Sequence, residues 1–236
     1  TAPATGDLNS MHTLHLSVDP HRLDDPSSAV ALTRAAEILR HGGIVALPTE
    51  TVYGLGASAL DAAAVARIFH AKERPAWDPI IVHIAGLLAD NPMLHTLVAA
   101  VPDAARRLIE AFWPGPLTLL LPRSTAVPDC VTAGRPLVGI RMPASDAVAS
   151  VVRALGGPLA ATSANRHGEP SPTTCAQAVA ALGVFCSIAL DAGPTSAGLD
   201  STVIDCVSAP PRILREGAID RQTIARILDL SDITVL

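Results

Sequence analysis

Aromatic side chains make up only 3% of this 236-residue chain and charged residues only 17%. With so few rings the core has to be aliphatic. Hydrophobic residues reach 49%, too many for a chain that stays disordered. Cationic charge is not in excess either. Seventeen Lys and Arg stand against 22 Asp and Glu, a formal net charge of -5. That argues against a dedicated nucleic-acid surface but leaves room for a local anion pocket. The four cysteines, Cys130, Cys175, Cys186 and Cys206, form no C-x-x-C pair and have no His at zinc-finger spacing. They read as reduced, mostly buried small hydrophobes, which suits a cytoplasmic protein. Also missing are an apolar run of the roughly 20 residues that cross a bilayer and the core of a signal peptide.

The common catalytic signatures are missing too. There is no G-x-x-x-x-G-K-[ST] loop, and the pair Gly54 and Gly56 does not complete G-x-G-x-x-G. H-E-x-x-H and the G-x-S-x-G elbow are absent. A catalytic site in this chain is therefore expected to act by positioning and charge stabilisation, without a covalent nucleophile.

What is present alternates between strand-like and helix-like segments. Residues 11–18 read as an edge strand. A helix follows, capped within residues 25–28, with Ala29, Leu32, Ala36 and Leu39 at helical spacing and Gly42 and Gly43 behind it. A second helix starts near Asp61 and stops before Pro75. Residues 94–115 read as two helical pieces broken at Pro102, and Ser145 or Asp146 caps another. "IVALP", "PIIVHIAG", "PLTLLLPRS", "PLVGIRMP", "PLAATSAN", "SIALDAG", "LDSTVIDCV" and "PRILREG" read as strands. The alternation predicts an α/β fold, a twisted mixed sheet flanked by helices in three layers with a concave pocket. Residues 1–12 are expected to be a disordered arm or cloning scar, 13–220 the catalytic domain, and 221–236 a C-terminal helix or the start of a linker.

Polar residues gather in five places next to these apolar segments: 49–53, 72–78, Arg141, 162–165 and 200–202. Loops at the strand ends of an α/β sheet converge on ligands, so five such bursts point to one site. Each has a plainer reading as well. Lys72 and Arg74 could satisfy the carbonyls at a helix end or clamp an anion. Ser163, Asn165 and Ser171 could cap turns or orient a polar ligand. His83, within "IIVHIA", could be a satisfied core histidine.

Seven stretches in order decide between these readings: "PTETVYGLG", "KERP" with "DPIIVH", "FWPGPLTLLL", "VGIRMP", "SANRHGEPSPT", "DSTVID" and "ILREGAI". Together they resemble the YrdC-domain family, the threonylcarbamoyl-AMP synthases, over about residues 25–220. The resemblance implies a nucleotidyltransferase that condenses L-threonine, bicarbonate or CO2, and ATP to threonylcarbamoyl-AMP and pyrophosphate. A separate transferase complex would then modify the adenosine beside certain tRNA anticodons, so direct tRNA binding is expected to be weak or absent. Carried over by motif, threonine falls to Thr51, His83, Arg141, Ala161 and Ser201. ATP falls to Lys72, Arg74, Asp78, Leu137, Ser163, Asn165, Ser171 and Arg215, with Lys72 and Arg74 the catalytic cations. Mg2+ is expected through the ATP phosphates rather than on a protein metal motif. The chain departs from the family pattern at Asp78, usually Asn, at Thr162, usually Pro, and at Ser145, where His is common. Longer members carry a second domain after a linker, so the chain reads as a single-domain form or as the catalytic domain of a two-domain member. The alternative is a non-catalytic YrdC-like protein that binds a nucleotide or double-stranded RNA in the same concavity.

Overall fold

The computed structural model describes residues 13–87 and 91–236. The expectation for residues 1–12, and the first two residues of the edge strand, lie outside them. Ten strands form one mixed sheet: β1 (Leu14–Ser17), β2 (Val45–Pro48), β3 (Tyr53–Ser58), β4 (Ile81–His83), β5 (Leu117–Pro122), β6 (Leu137–Arg141), β7 (Leu159–Ser163), β8 (Ile188–Asp191), β9 (Thr202–Asp205) and β10 (Arg212–Arg215). Their order is β1-β8-β2-β3-β7-β4-β6-β5-β9-β10. Four pairs are parallel (β1–β8, β2–β8, β4–β6, β5–β9) and five antiparallel. The sheet is mixed, as the short Pro- and Gly-bounded connections predict.

The helices are α1 (Pro26–Arg40), α2 (Ala62–Lys72), α3 (Pro92–Leu97), α4 (Asp103–Phe112), α5 (Asp129–Thr132), α6 (Asp146–Leu155), α7 (Cys175–Leu182) and α8 (Arg221–Ile227). Their starts follow sequence chemistry. Asp25, Asp61, Ser145 and Asp220 each accept a hydrogen bond from a first-turn N–H. Thr174 and Gln177 form a reciprocal capping box at α7.

Two elements depart from the sequence reading. Residues 53–58, to which the sequence reading assigns no element, form a strand, β3, paired with β2 on one side and β7 on the other. A Cβ on Gly56 would come within 2.9 Å of the Leu47 side chain and 3.2 Å of Leu159, so a larger residue there would have to push them aside. The loop after β5 contains the short helix α5. Beyond α8 the chain returns to the sheet, where Val235 bridges Ile213 in parallel.

The two sheet faces are covered unequally. α2, α4, α7 and α8 pack on one face against Ala46, Leu55, Val82, Leu119, Ile140, Ala160 and Ile204. On the other face α1 and α6 pack with Val45, Leu47, Leu159, Ile188 and Leu190 of β2, β7 and β8. No residue of β4, β5, β6 or β9 joins that second cluster. Those strands are left open on that side, and the open patch holds the site. The four cysteines are free thiols, three of them buried. No helix among the described residues is long and apolar enough to cross a membrane.

Candidate active site

Side chains alternate across a strand with period two, so every second residue shares a face. Ile81 and His83 of β4, Thr118 and Leu120 of β5, Gly139 and Arg141 of β6, and Ala161 and Ser163 of β7 follow this rule. With Ser201 and Val203 they line a cavity of about 360 Å³. The site is therefore built mainly on the concave face of the sheet rather than beyond its strand ends, where the polar bursts suggested it. The reason is the missing helix over β4, β6, β5 and β9. Gly54 and Gly139 keep the floor low, since neither puts a side chain into the space.

Arg141 is buried and held on three sides. Its Nε donates to Gly115 O at 3.2 Å and its Nη1 to Thr51 Oγ1 at 3.0 Å. Its Nη2 lies 2.8 Å from Glu50 Oε1 but has no aligned hydrogen-bond acceptor. Thr51 is fixed in turn by Thr49, whose Oγ1 is 2.8 Å from Thr51 Oγ1 and also donates to Val52 O. His83 is 5% exposed, and its Nδ1 is buried without a partner. Burial, helped by the Arg141 charge, pushes its pKa down to about 3, so the ring is neutral at ordinary pH. The cavity thus presents a cation and a neutral imidazole, both with unmet hydrogen-bonding capacity. Beside them Thr118 Oγ1 and Ser201 Oγ lie 2.8 Å apart.

On the other side Arg215 donates twice to Ser201 O and lies 3.7 Å from Asp200. Arg74 donates to the carbonyls of Asp78 and Pro79 and pairs with the Asp78 carboxylate at 2.9 Å. Its guanidinium is thereby fixed in place. Burial lowers its pKa, and Asp78 opposes that shift.

Lys72 and Arg74 part company although they are two residues apart. Glu73 between them adopts the left-handed conformation (φ 52°), which turns the chain at the end of α2. Arg74 lines the cavity. Lys72 is 1% exposed and donates to Ser163 O, Asn165 O and, at 3.4 Å, Asn165 Oδ1. Burial first, and Arg74 second, lower its pKa to about 8. Lys72 thus holds the loop that follows β7.

The cavity brings together Thr51, Arg74, Asp78, His83, Arg141, Ala161, Ser163, Ser201 and Arg215. Lys72, Leu137, Asn165 and Ser171 are not among its lining residues. Asn165 braces its own loop through Arg166 O and Glu169 O, and Ser171 Oγ is 3.5 Å from Asp200. Leu137 opens β6, paired with Pro122. Thr118 and Arg135 also line the cavity but carry no role in the sequence reading, while Thr49 and Asp200, from two of its polar bursts, line it without an assigned ligand. Thr118 had a visible signal, being the lone polar residue in "PLTLLL". Nothing local singled out Arg135.

A family model named for Sua5, YciO and YrdC, and described as telomere recombination, matches residues 37–217. The chain belongs to the Sua5/YciO/YrdC family. It is 44% identical over 194 residues to a threonylcarbamoyl-AMP synthase of Pyrococcus abyssi, covering 82% of this chain and 56% of that one. It is 42% identical over 198 residues to the Bacillus subtilis threonylcarbamoyl-AMP synthase, covering 84% and 56%. The chain thus spans just over half the length of these two Sua5/YciO/YrdC relatives. The crystal structure of P. abyssi Sua5 complexed with L-threonine superposes with a TM-score of 0.85 at 38% identity, covering 95% of this chain and 63% of that one. The Sua5/YciO/YrdC fold, the mixed sheet flanked by helices, is the one the sequence predicts.

Proposed function

We propose that this chain carries the L-threonylcarbamoyladenylate synthase activity of its family. The substrates are L-threonine, bicarbonate or CO2, and ATP. The products are threonylcarbamoyl-AMP and pyrophosphate. One observation carries the reading: Thr51, His83, Arg141 and Ser201 line the same cavity as Arg74, Ser163 and Arg215. On this reading an amino-acid half and a phosphate half share one space. That favours a synthase over a non-catalytic nucleotide- or double-stranded-RNA-binding protein.

In the amino-acid half Arg141 takes the threonine carboxylate, using the Nη2 that no protein acceptor aligns with. The neutral His83 and the Thr118–Ser201 hydroxyl pair hydrogen-bond the rest of the amino acid. The amine, once its ammonium has lost a proton, adds to CO2 and, releasing a second proton to water, gives a carbamate. The carbamate oxygen attacks the α-phosphorus of ATP in line and pyrophosphate leaves. Arg74 and Arg215 stabilise the negative charge on the phosphates, and their fixed guanidiniums need no reorganisation. Lys72 keeps the Ser163–Asn165 loop in register beside them.

The cavity suits MgATP as the form of the nucleotide. Two carboxylates, Asp78 and Asp200, line it, and Mg2+ is ordinarily held by one or two carboxylates together with substrate phosphates. Bound there, Mg2+ would neutralise phosphate charge. The adenylate passes to a transferase complex for tRNA adenosine modification, and a cytoplasmic setting goes with that role. Direct tRNA binding is not required of a chain with a net charge of -5.

Steady-state kinetics on Thr51→Ala test the division of the cavity. Removing Oγ1 leaves Arg141 Nη1 without its acceptor. The KM for threonine is expected to rise roughly ten-fold or more, while that for ATP changes little. Equal rises in both would sink the assignment.

A further inference from the structure

Glu50 has no task in the reading above, yet it is tied down from three directions. Its side chain is 13% exposed, and its Oε1 lies 2.8 Å from Arg141 Nη2 and accepts from Ala144 N at 2.9 Å. Its Oε2 is buried with no hydrogen-bond partner. Its main-chain oxygen accepts from Ala197 N at 2.9 Å and from Ser196 Oγ at 3.3 Å. One residue thus links the β2–β3 turn to the chain after β6 and to the loop after β8.

The carboxylate is not needed for that linkage. A neutral amide would accept from Ala144 N equally well, and an underused buried carboxylate oxygen costs stability. For a site that binds a simple anion with no accompanying cation Glu50 is a liability as well. A carboxylate in contact with the Arg141 guanidinium cancels much of the field that would attract the anion. For a zwitterion the sign reverses. An α-amino acid brings a carboxylate for Arg141 and an ammonium that needs negative charge nearby. The two carboxylates that line the cavity, Asp78 and Asp200, stand beside Arg74 and Arg215. Glu50 is the acid paired with Arg141.

We propose that Glu50 is a specificity-determining positioning residue. Paired with Arg141, it makes that end of the cavity select a zwitterionic α-amino acid over a simple carboxylate. This inference rests on the amino-acid reading of the Arg141 half.

Calorimetric titration of the chain with L-threonine and with 3-hydroxybutanoate tests it. The second ligand keeps the carboxylate and side-chain hydroxyl of threonine but has no amine. The wild type is expected to bind threonine at least ten-fold more tightly. Glu50→Gln keeps the size and the acceptor for Ala144 N but removes the charge. It is expected to weaken threonine binding roughly ten-fold and leave 3-hydroxybutanoate as tight or tighter, so that the preference collapses. Glu50→Asp, which restores the charge, is expected to recover the preference at lower affinity. A merely structural Glu50 would weaken both ligands by one factor, and an unchanged preference in Glu50→Gln overturns the proposal. If that variant does not fold, the wild type still decides, because equal affinity for the two ligands also overturns it. A wild type that binds neither ligand removes the amino-acid reading itself, and the Glu50 proposal with it.

Discussion

His83 stays neutral inside the sheet because its ring is buried beside Arg141, with a pKa near 3 against about 6.5 in an unfolded chain. Between these values the unfolded chain binds a proton that the folded chain does not. Stability therefore falls as the pH drops from about 6.5 towards 3. Lowering the pH from 7 to 4.5 is expected to cost the wild type about 2 kcal/mol through this residue alone. His83→Gln, uncharged throughout, lacks that contribution, so urea unfolding of both proteins at the two pH values should show a shallower loss for the variant. Identical losses would mean that the ring is not buried in the neutral form. At this scale the sequence was informative wherever a motif carried the residue. Thr51, His83, Arg141 and Ser201 came from the family resemblance, and all four line one cavity. The connection of Glu50 to Arg141 was not legible, because it joins residues 91 positions apart through a fold the sequence does not display.

The turn after α2 shows how an element divides two similar side chains. Glu73 in the left-handed conformation sends Lys72 under the loop after β7 and Arg74 into the cavity. With its pKa near 8 rather than 10.5, Lys72 releases its proton in the folded chain at a pH where the unfolded chain still holds it. Stability is therefore expected to rise as the pH increases from about 8 to about 10.5, by up to roughly 3 kcal/mol from this group. Lys72→Met removes that rise. It is also expected to speed amide hydrogen exchange over residues 163–169, the segment in which Lys72 gathers the Ser163 and Asn165 carbonyls. A flat exchange profile would contradict the bracing role. The sequence placed both cations at a helix end, but it could not say which would face the ligand, since one backbone dihedral decides that. β3 was harder still. Its two glycines carry no strand signal, and its strand character comes from pairing on both sides. Gly54 offers a direct test of the cavity floor, because a Cβ there meets Thr162 O no closer than 3.5 Å. Gly54→Val should fold, with its melting temperature shifted by only a few degrees, and should lose threonine binding by more than ten-fold as the branched side chain fills the pocket. Unimpaired binding would move the ligand off this face.

For the whole molecule the alternation of strands and helices was enough to predict a mixed sheet flanked by helices. The order of the ten strands was not, because β8 lies between β1 and β2 and β9 pairs β5 through contacts far apart in sequence. The location of the site follows from that order. Helices cover one face broadly and the other mainly over β1, β2, β7 and β8, leaving β4, β6, β5 and β9 to form an open, polar patch. Sequence reasoning looked for the ligand beyond the strand ends, whereas the uncovered face supplies most of the lining. Two pairs of opposite charge, Arg74–Asp78 and Arg215–Asp200, stand along that lining, and Arg141, which also lines it, is paired with Glu50, an arrangement that suits two polar substrates better than one long polyanion. The most direct test of the central claim is pyrophosphate release from MgATP and bicarbonate, measured with and without L-threonine in the wild type and in Arg141→Ala. Release is expected to depend on threonine and to fall at least a hundred-fold in the variant, since the truncation removes the charge that holds the threonine carboxylate. Release that ignores threonine, or that survives the loss of Arg141, would contradict it.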